Sequence, residues 1–200
     1  MKIHVIGAPG SGKTTLAHDI ASRFHVPHYE LDKVNWEQES VATIIERPAW
    51  ITEGFYLVWT EPMLYHADCI VFLEVSWPIA AWRLISRHIL NSLRNTQSYP
   101  GLNGIKALVI LLKDTRRYTL NLGQTDKSTV EDLHKYLETR RGLAVPSKEE
   151  YQKTYPETYQ KLALPPTEEF VRMYLEKYKG KLFLVKNATD RERLFELLEK

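Results

Sequence analysis

Residues Gly7-Ala8-Pro9-Gly10-Ser11-Gly12-Lys13-Thr14 read G-x-x-x-x-G-K-T, between an apolar run, Ile3 to Ile6, and a helical pattern opening at Lys13. Few short patterns constrain a fold as strongly, because this one requires a strand before it and a helix after it. The glycines let backbone N–H groups turn inward on a phosphate with no side chain in the way. The helix that follows adds the positive end of its dipole. Lys13 is placed to reach β- and γ-phosphates as a point charge, and the Thr14 hydroxyl to ligate Mg²⁺. The predicted cradle is Gly7, Ala8, Pro9, Gly10, Ser11, Gly12, Lys13, Thr14 and Thr15. Its expected ligand is a nucleoside triphosphate together with magnesium.

Strand and helix signals alternate after the loop. Lys2–Ile6 reads as a buried strand, and Lys13–Phe24 as a helix with Leu16, Ile20 and Phe24 on one face. Pro27–Leu31 reads as a second strand, Glu39–Arg47 as helical, and Ala49–Thr52 as a short apolar run ending at Glu53-Gly54. Cys69–Val75 is a continuous apolar run of strand length, followed by a helix from about Ser76 to Asn95. Lys181–Val185 gives a last strand. Asp190–Glu199 gives a last helix with Leu194, Leu197 and Leu198 inward and Thr189 or Asp190 as its N-cap. Such alternation implies parallel βαβ units with helices on both faces of the sheet.

Between about residues 92 and 178 the strand signals disappear. Helical patterns occupy Gly104–Leu120, Val130–Thr139, Lys148–Leu162 and Thr167–Lys179, with Pro and Gly between them. The expectation is one domain over residues 1–200, carrying a helical insertion over its nucleotide face. Its tyrosines (Tyr99, Tyr118, Tyr136, Tyr151, Tyr155, Tyr159, Tyr174 and Tyr178) are expected to pack helix edges with their hydroxyls in water. The sharper alternative is that one or two stack on a ligand ring.

Charge narrows the partners. Lys and Arg number 27 against 25 Asp and Glu, a net charge of +2, which is not the basic signature of a dedicated nucleic-acid binder. One cysteine, Cys69, forms no intramolecular disulfide and reads as a buried small hydrophobe suited to a reducing compartment. The longest apolar stretch, Ala107–Leu112, is too short to span a bilayer, and the first strand begins too early for a leader peptide. A cytoplasmic protein, monomeric or weakly dimeric, is expected, with no membrane and no nucleic acid among its partners. His4 in the first strand, and His18 and His25 in or just after the first helix, suggest no metal-ligand pairing, so no zinc site is expected. The tryptophans Trp36, Trp50, Trp59, Trp77 and Trp82 read as core and edge fillers.

Six segments carry a family resemblance: GAPGSGKTTLA at 7–17, YELDKVNW at 29–36, WITEGFY at 50–56, ADCIVFLEVS at 67–76, WRLISRH at 82–88 and, more weakly, EEFVRMYLEKYKGKLFLVKN at 168–187. Together they resemble the adenylate-kinase-like branch of P-loop kinases, closest to the small bacterial topology modulation proteins. The resemblance covers the first 90 and last 35 residues; residues 95–165 align with nothing. It implies a P-loop NTPase fold: an α/β domain with a five-stranded parallel sheet flanked by helices, with a lid over the triphosphate. The implied activity is phosphoryl transfer from ATP to a small acceptor, which could be a nucleotide, a nucleoside or another metabolite.

The resemblance also implies roles. Asp32 follows the second strand, at the sheet's carboxyl edge beside the ligand crevice; related kinases place a carboxylate there against the acceptor. The plainer reading is a turn or N-cap aspartate. Glu53, before Gly54, matches an acid that holds Mg²⁺ through water, opposite the Thr14 hydroxyl. Its rival, Glu74, is expected to face solvent or cap the next helix. Arg83 and Arg87 stand four apart and share a helix face. In the family such a pair reaches the nucleotide and the transferring phosphoryl group; the plainer reading is an exposed basic face.

One departure bears on the acceptor. Adenylate kinases carry Asp-Gly-Phe-Pro-Arg after the third strand, where this chain has Glu53-Gly54-Phe55-Tyr56-Leu57. A doubly charged phosphate acceptor wants an arginine fork, so a hydroxyl-bearing acceptor fits at least as well. Two other readings compete with a kinase. One is a nucleotide-binding regulatory protein linked to DNA topology, without turnover. The other is a GTP switch, for which Lys186-Asn187-Ala188-Thr189-Asp190 is only a loose echo of the guanine signature.

Overall fold

The computed structural model describes residues 1–31, 41–54, 60–94, 96, 101–123, 130–131, 138 and 167–199. The chain runs β1 (Lys2–Gly7), α1 (Lys13–Phe24), β2 (His28–Glu30), α2 (Val41–Glu46), β3 (Trp50–Glu53), α3 (Glu61–His66), β4 (Cys69–Leu73) and α4 (Trp77–Leu93). There follow α5 (Leu102–Thr119), α6 (Glu168–Leu175), a 3₁₀ turn (Glu176–Lys181), β5 (Leu182–Val185) and α7 (Ala188–Leu198). The five strands pair in the order β2-β3-β1-β4-β5, all in parallel. This is the predicted α/β fold, a five-stranded parallel sheet flanked by helices.

The sheet is apolar on both faces because helices cover both. Successive side chains of a strand alternate faces, and β4 shows the consequence. Cys69, Val71 and Leu73 join Ile3, Val5, Leu16, Ile20 and Leu194 in one core layer, under α1 and α7. Ile70 and Phe72 join Ile6, Trp50, Leu64, Tyr118, Phe170 and Tyr174 in the other, under α3, α5 and α6. Fully burying one such side chain stabilises the fold by roughly 1.5–3 kcal/mol, so trimming Phe72 to Ala costs about 3–5 kcal/mol. Even the polar His4 of β1 is buried; its Nδ1 shares a 2.7 Å hydrogen bond with Thr52 Oγ1, and burial pushes its pKa down to about 3. It is a neutral core residue.

The structure corrects several sequence expectations. The turn of helix α3 was not foreseen, since six residues carry too short a pattern to register. Helix α7 starts earlier than predicted, and its N-cap is Asn187, whose side chain accepts from Asp190 N–H, rather than Thr189 or Asp190. Leu194 is buried and Leu198 packs against the core as expected, but Leu197 is exposed and Phe195 packs inward in its place. Tyr118, Tyr174 and Tyr178 are buried core residues, not edge residues with wet hydroxyls; the Tyr178 hydroxyl donates to the Glu61 carboxylate. Trp82 is exposed, while Trp50 is fully buried.

Within the predicted helical insertion, the described helices include the long α5 and the return leg, α6 with its 3₁₀ turn. The patterns at Val130–Thr139 and Lys148–Leu162 fall, for the most part or wholly, outside the described residues. Among those described, no helix is long and apolar enough to cross a membrane.

Candidate functional site

The site is built where β1 gives way to α1 at the carboxyl edge of the sheet. Gly10 has φ +79°, and a Cβ there would sit 2.7 Å from the Ala80 carbonyl oxygen, so glycine is what lets the loop lie against α4. Gly12, the N-cap of α1, has φ +94° and offers no side chain to the helix end. The first N–H groups of α1 therefore meet the crevice uncapped, with the helix dipole behind them. Within the loop, Ser11 N–H closes a turn on Ala8 O at 3.0 Å. An open helix start with left-handed glycines and a lysine suits a polyphosphate.

Lys13 and Thr14 converge on one carboxylate. Thr14 Oγ1 donates to Glu53 Oε1 at 2.8 Å, and Lys13 Nζ lies 3.7 Å from Glu53 Oε2. Glu53 ends β3, which pairs with β1, placing the acid beside the loop rather than in front of it; its side chain is only 2% exposed. The hydroxyl and carboxylate oxygens form a pair of hard donors, the type that Mg²⁺ accepts. The predicted metal residues, Thr14 and Glu53, are thus brought together.

Both predicted arginines reach the crevice from α4, and they differ in what they hold. Arg83 Nη1 donates to Ser11 O at 2.7 Å and to Gly10 O at 3.3 Å, bracing the glycine loop from the side of α4. Arg87, one turn on, lines the same crevice with no hydrogen-bond or ion-pair partner among the described residues. The crevice encloses about 620 Å³ and runs from the loop, Gly10–Leu16, to the far wall after β5. Of the predicted cradle, Gly10, Ser11, Gly12, Lys13, Thr14 and Thr15 line it; Gly7 ends β1, and Ala8 and Pro9 lead into the turn. Asp32 lies outside the described residues, though Leu31, its neighbour, ends a strand-edge turn held by Leu31 N–H on Glu53 O at 3.0 Å.

Two features escaped the sequence reading. The far wall, Val185, Lys186, Asn187, Ala188 and Arg191, is formed by the end of β5 and the start of α7. Its signal was available: in a parallel sheet, residues just past a strand's carboxyl end face the ligand crevice. The second is Glu74. Rather than facing solvent or capping α4, which begins from Ser76, Glu74 is buried and carries two cations. Its Oε1 is 2.5 Å from Arg172 Nη2 and its Oε2 is 2.9 Å from Lys186 Nζ. Nearby, Glu168 stands 3.8 Å from Arg172; burial, then the Glu74 charge, pushes its pKa up to about 7.

No protein-family model matches the chain, and comparison with curated proteins found no match. Solved structures do show likenesses. A putative kinase from Chloroflexus aurantiacus aligns with a TM-score of 0.37 at 20% identity, covering 53% of this chain and 76% of that one. Shikimate kinase from Bacteroides thetaiotaomicron aligns at 0.37 and 20% identity, over 72% of this chain and 99% of that one. Shikimate kinase from Aquifex aeolicus aligns at 0.35 and 18% identity, over 58% and 80%. The fold itself is fixed by this chain's own strand order and glycine loop.

Proposed function

We propose that the chain is an ATP- and magnesium-dependent kinase that phosphorylates a small acceptor. The observation that carries this reading is the convergence of Lys13 and Thr14 on Glu53 beneath an uncapped helix start. The loop N–H groups and Lys13 bind the β- and γ-phosphates. Thr14 and Glu53 hold the magnesium ion, which supplies charge neutralisation at the phosphate oxygens. Arg83 keeps the loop in its bound shape through two carbonyls, and Arg87, free of protein partners among the described residues, meets the charge that develops on the transferred group. Asp32, next in sequence to the edge of β2, positions or deprotonates the acceptor. Phosphoryl transfer asks little covalent chemistry of the protein, so positioning and electrostatics are sufficient.

The acceptor class follows from what is missing in sequence after β3, where neither Pro nor Arg follows Gly54-Phe55. A hydroxyl-bearing acceptor, a nucleoside or another small metabolite, is the better fit. The test is ADP release from Mg-ATP across a panel of nucleoside monophosphates, nucleosides and small hydroxyl metabolites, with Lys13→Ala as control. Acceptor-dependent release that disappears in the variant supports the kinase and names its substrate class. Tight nucleotide binding with no acceptor-stimulated release anywhere in the panel refutes turnover and favours a regulatory nucleotide-binding protein.

A further inference from the structure

The crevice has two chemically different ends. The loop end is polar and cationic, with Lys13, Arg83 and the start of α1. Beyond the loop, the wall after β5 brings Val185 and Ala188, apolar lining able to take the flat face of a base, together with the polar Lys186, Asn187 and Arg191. The turn 185–188 forms that wall, and it is fixed from both sides. On the helix side, Asn187 accepts from Asp190 N–H at 3.0 Å, while Asp190 accepts from Lys186 N–H at 3.0 Å, and the two bonds fasten the turn to α7. On the sheet side, Glu74 N–H donates to Val185 O at 3.0 Å, and the Glu74 carboxylate holds the Lys186 ammonium at 2.9 Å.

Glu74 is not itself in the crevice. Leu73 and Val75 on either side of it line the wall, while the Glu74 carboxylate is buried between Lys186 and Arg172 of α6. Each carboxylate oxygen lies at ion-pair distance from one cation, although Oε1 makes no aligned hydrogen bond to Arg172. A buried carboxylate so paired keeps its partners in one geometry, because withdrawing either leaves an uncompensated charge. The pairing spans three elements that sequence keeps far apart: the end of β4, the turn after β5, and the helix that carries the chain out of the inserted segment.

We propose that Glu74 is a positioning residue for the base end of the crevice, fixing the 185–188 wall through Lys186 and linking it, through Arg172, to the seat of α6. The inference rests on the nucleotide-binding reading above. It assigns Glu74 a role through other residues and no contact with ligand. Its consequence is selective. The wall matters to a ligand that has a base, and not to one that is phosphate alone.

The test compares the binding of ATP with that of inorganic tripolyphosphate by titration calorimetry, with magnesium, for the wild type and for Glu74→Gln, Lys186→Gln, Arg172→Gln and the Glu74→Gln/Lys186→Gln pair. The expected result is that Glu74→Gln weakens ATP roughly five- to tenfold and leaves tripolyphosphate within about twofold. The double variant should be no weaker than the worse single variant, because one residue acts through the other. Simple electrostatics gives the opposite sign, since removing a negative charge beside a cationic crevice strengthens both anions. Parallel loss of ATP and tripolyphosphate, unchanged or tighter ATP binding, or multiplying losses in the double variant would each overturn the proposal. Should Glu74→Gln not fold, Arg172→Gln, which alters a half-exposed side chain outside the crevice lining, carries the same comparison. A wild type that binds neither ligand sinks the nucleotide reading itself, which is a different result from any of these.

Discussion

Thr14 and Glu53 meet across the sheet, hydroxyl to carboxylate at 2.8 Å, although they belong to the helix after β1 and the end of β3. The parallel register that sets Val5 beside Glu53 brings them together. Replacing Glu53 with Gln keeps the volume and the acceptor oxygen but removes the charge that a hard cation needs. The expected outcome is a loss of magnesium-dependent nucleotide affinity of at least about tenfold, with magnesium-free tripolyphosphate binding little changed or strengthened. Calorimetric titrations with and without magnesium decide this; equal loss in both would remove Glu53 from the metal site.

Arg83 and Arg87 lie on one face of α4 and are separable by experiment. Arg83→Ala leaves two loop carbonyls without their cationic donor, so it should destabilise the protein by about 1–3 kcal/mol and raise KM for nucleotide. Arg87→Ala removes a side chain with no partner among the described residues, so stability should stay within about 0.5 kcal/mol. Its activity should fall on the order of a hundredfold, mainly in kcat. Denaturant unfolding and steady-state rates read both halves. Equal destabilisation by the two variants would contradict the distinction.

Glu168 gives a pH signature. Its folded-state pKa is raised from 4.5 to about 7, first by burial and then by the Glu74 charge. A raised carboxylate pKa favours the protonated form in the fold, so this stability is fully present below about pH 4.5 and is lost as pH rises through 7. Because the group is partly exposed, the loss is on the order of 1–2 kcal/mol. Glu168→Gln should flatten that part of the stability profile and leave the variant more stable than wild type above pH 7. Parallel profiles for the two proteins between pH 4.5 and 8 would be inconsistent with it.

Gly10 is the tightest point of the loop. Ala at this position meets both a left-handed φ and a carbonyl 2.7 Å away, so Gly10→Ala should destabilise by about 2–4 kcal/mol and displace the loop from α4. Gly180, whose added Cβ would meet nothing within 4 Å, is the control. Thermal unfolding of Gly10→Ala and Gly180→Ala side by side checks the contrast.

The fold and half of the site were legible in the sequence for a common reason: their signals are local. The glycine loop declares its own turn, and the runs at Lys2–Ile6 and Cys69–Val75 declare buried strands by length and composition. The far wall was not legible, because it depends on which strand lies beside β4, and no residue of β5 states its neighbour. Glu74 was misjudged for a related reason. A lone acid after an apolar run looks solvent-facing until Arg172 and Lys186, distant in sequence, are seen on either side of it. Tyr118, Tyr174 and Tyr178 read as edge residues in sequence because an amphipathic helix gives no hint of how deeply a sheet will receive it.

The edge strand β5 also sets an order of events in the making of the protein. It pairs with β4 through Ile70 and Leu182, residues about 110 positions apart, and such non-local pairing forms late. The loop, Lys13, Thr14 and Glu53 all lie within the first 53 residues, yet they face an open groove until residues 182–191 arrive to close it. A chain stalled during synthesis would carry an intact phosphate loop and no wall for a base. On the proposed function, such a fragment would carry the phosphate side of the crevice without the wall that residues 185–191 supply.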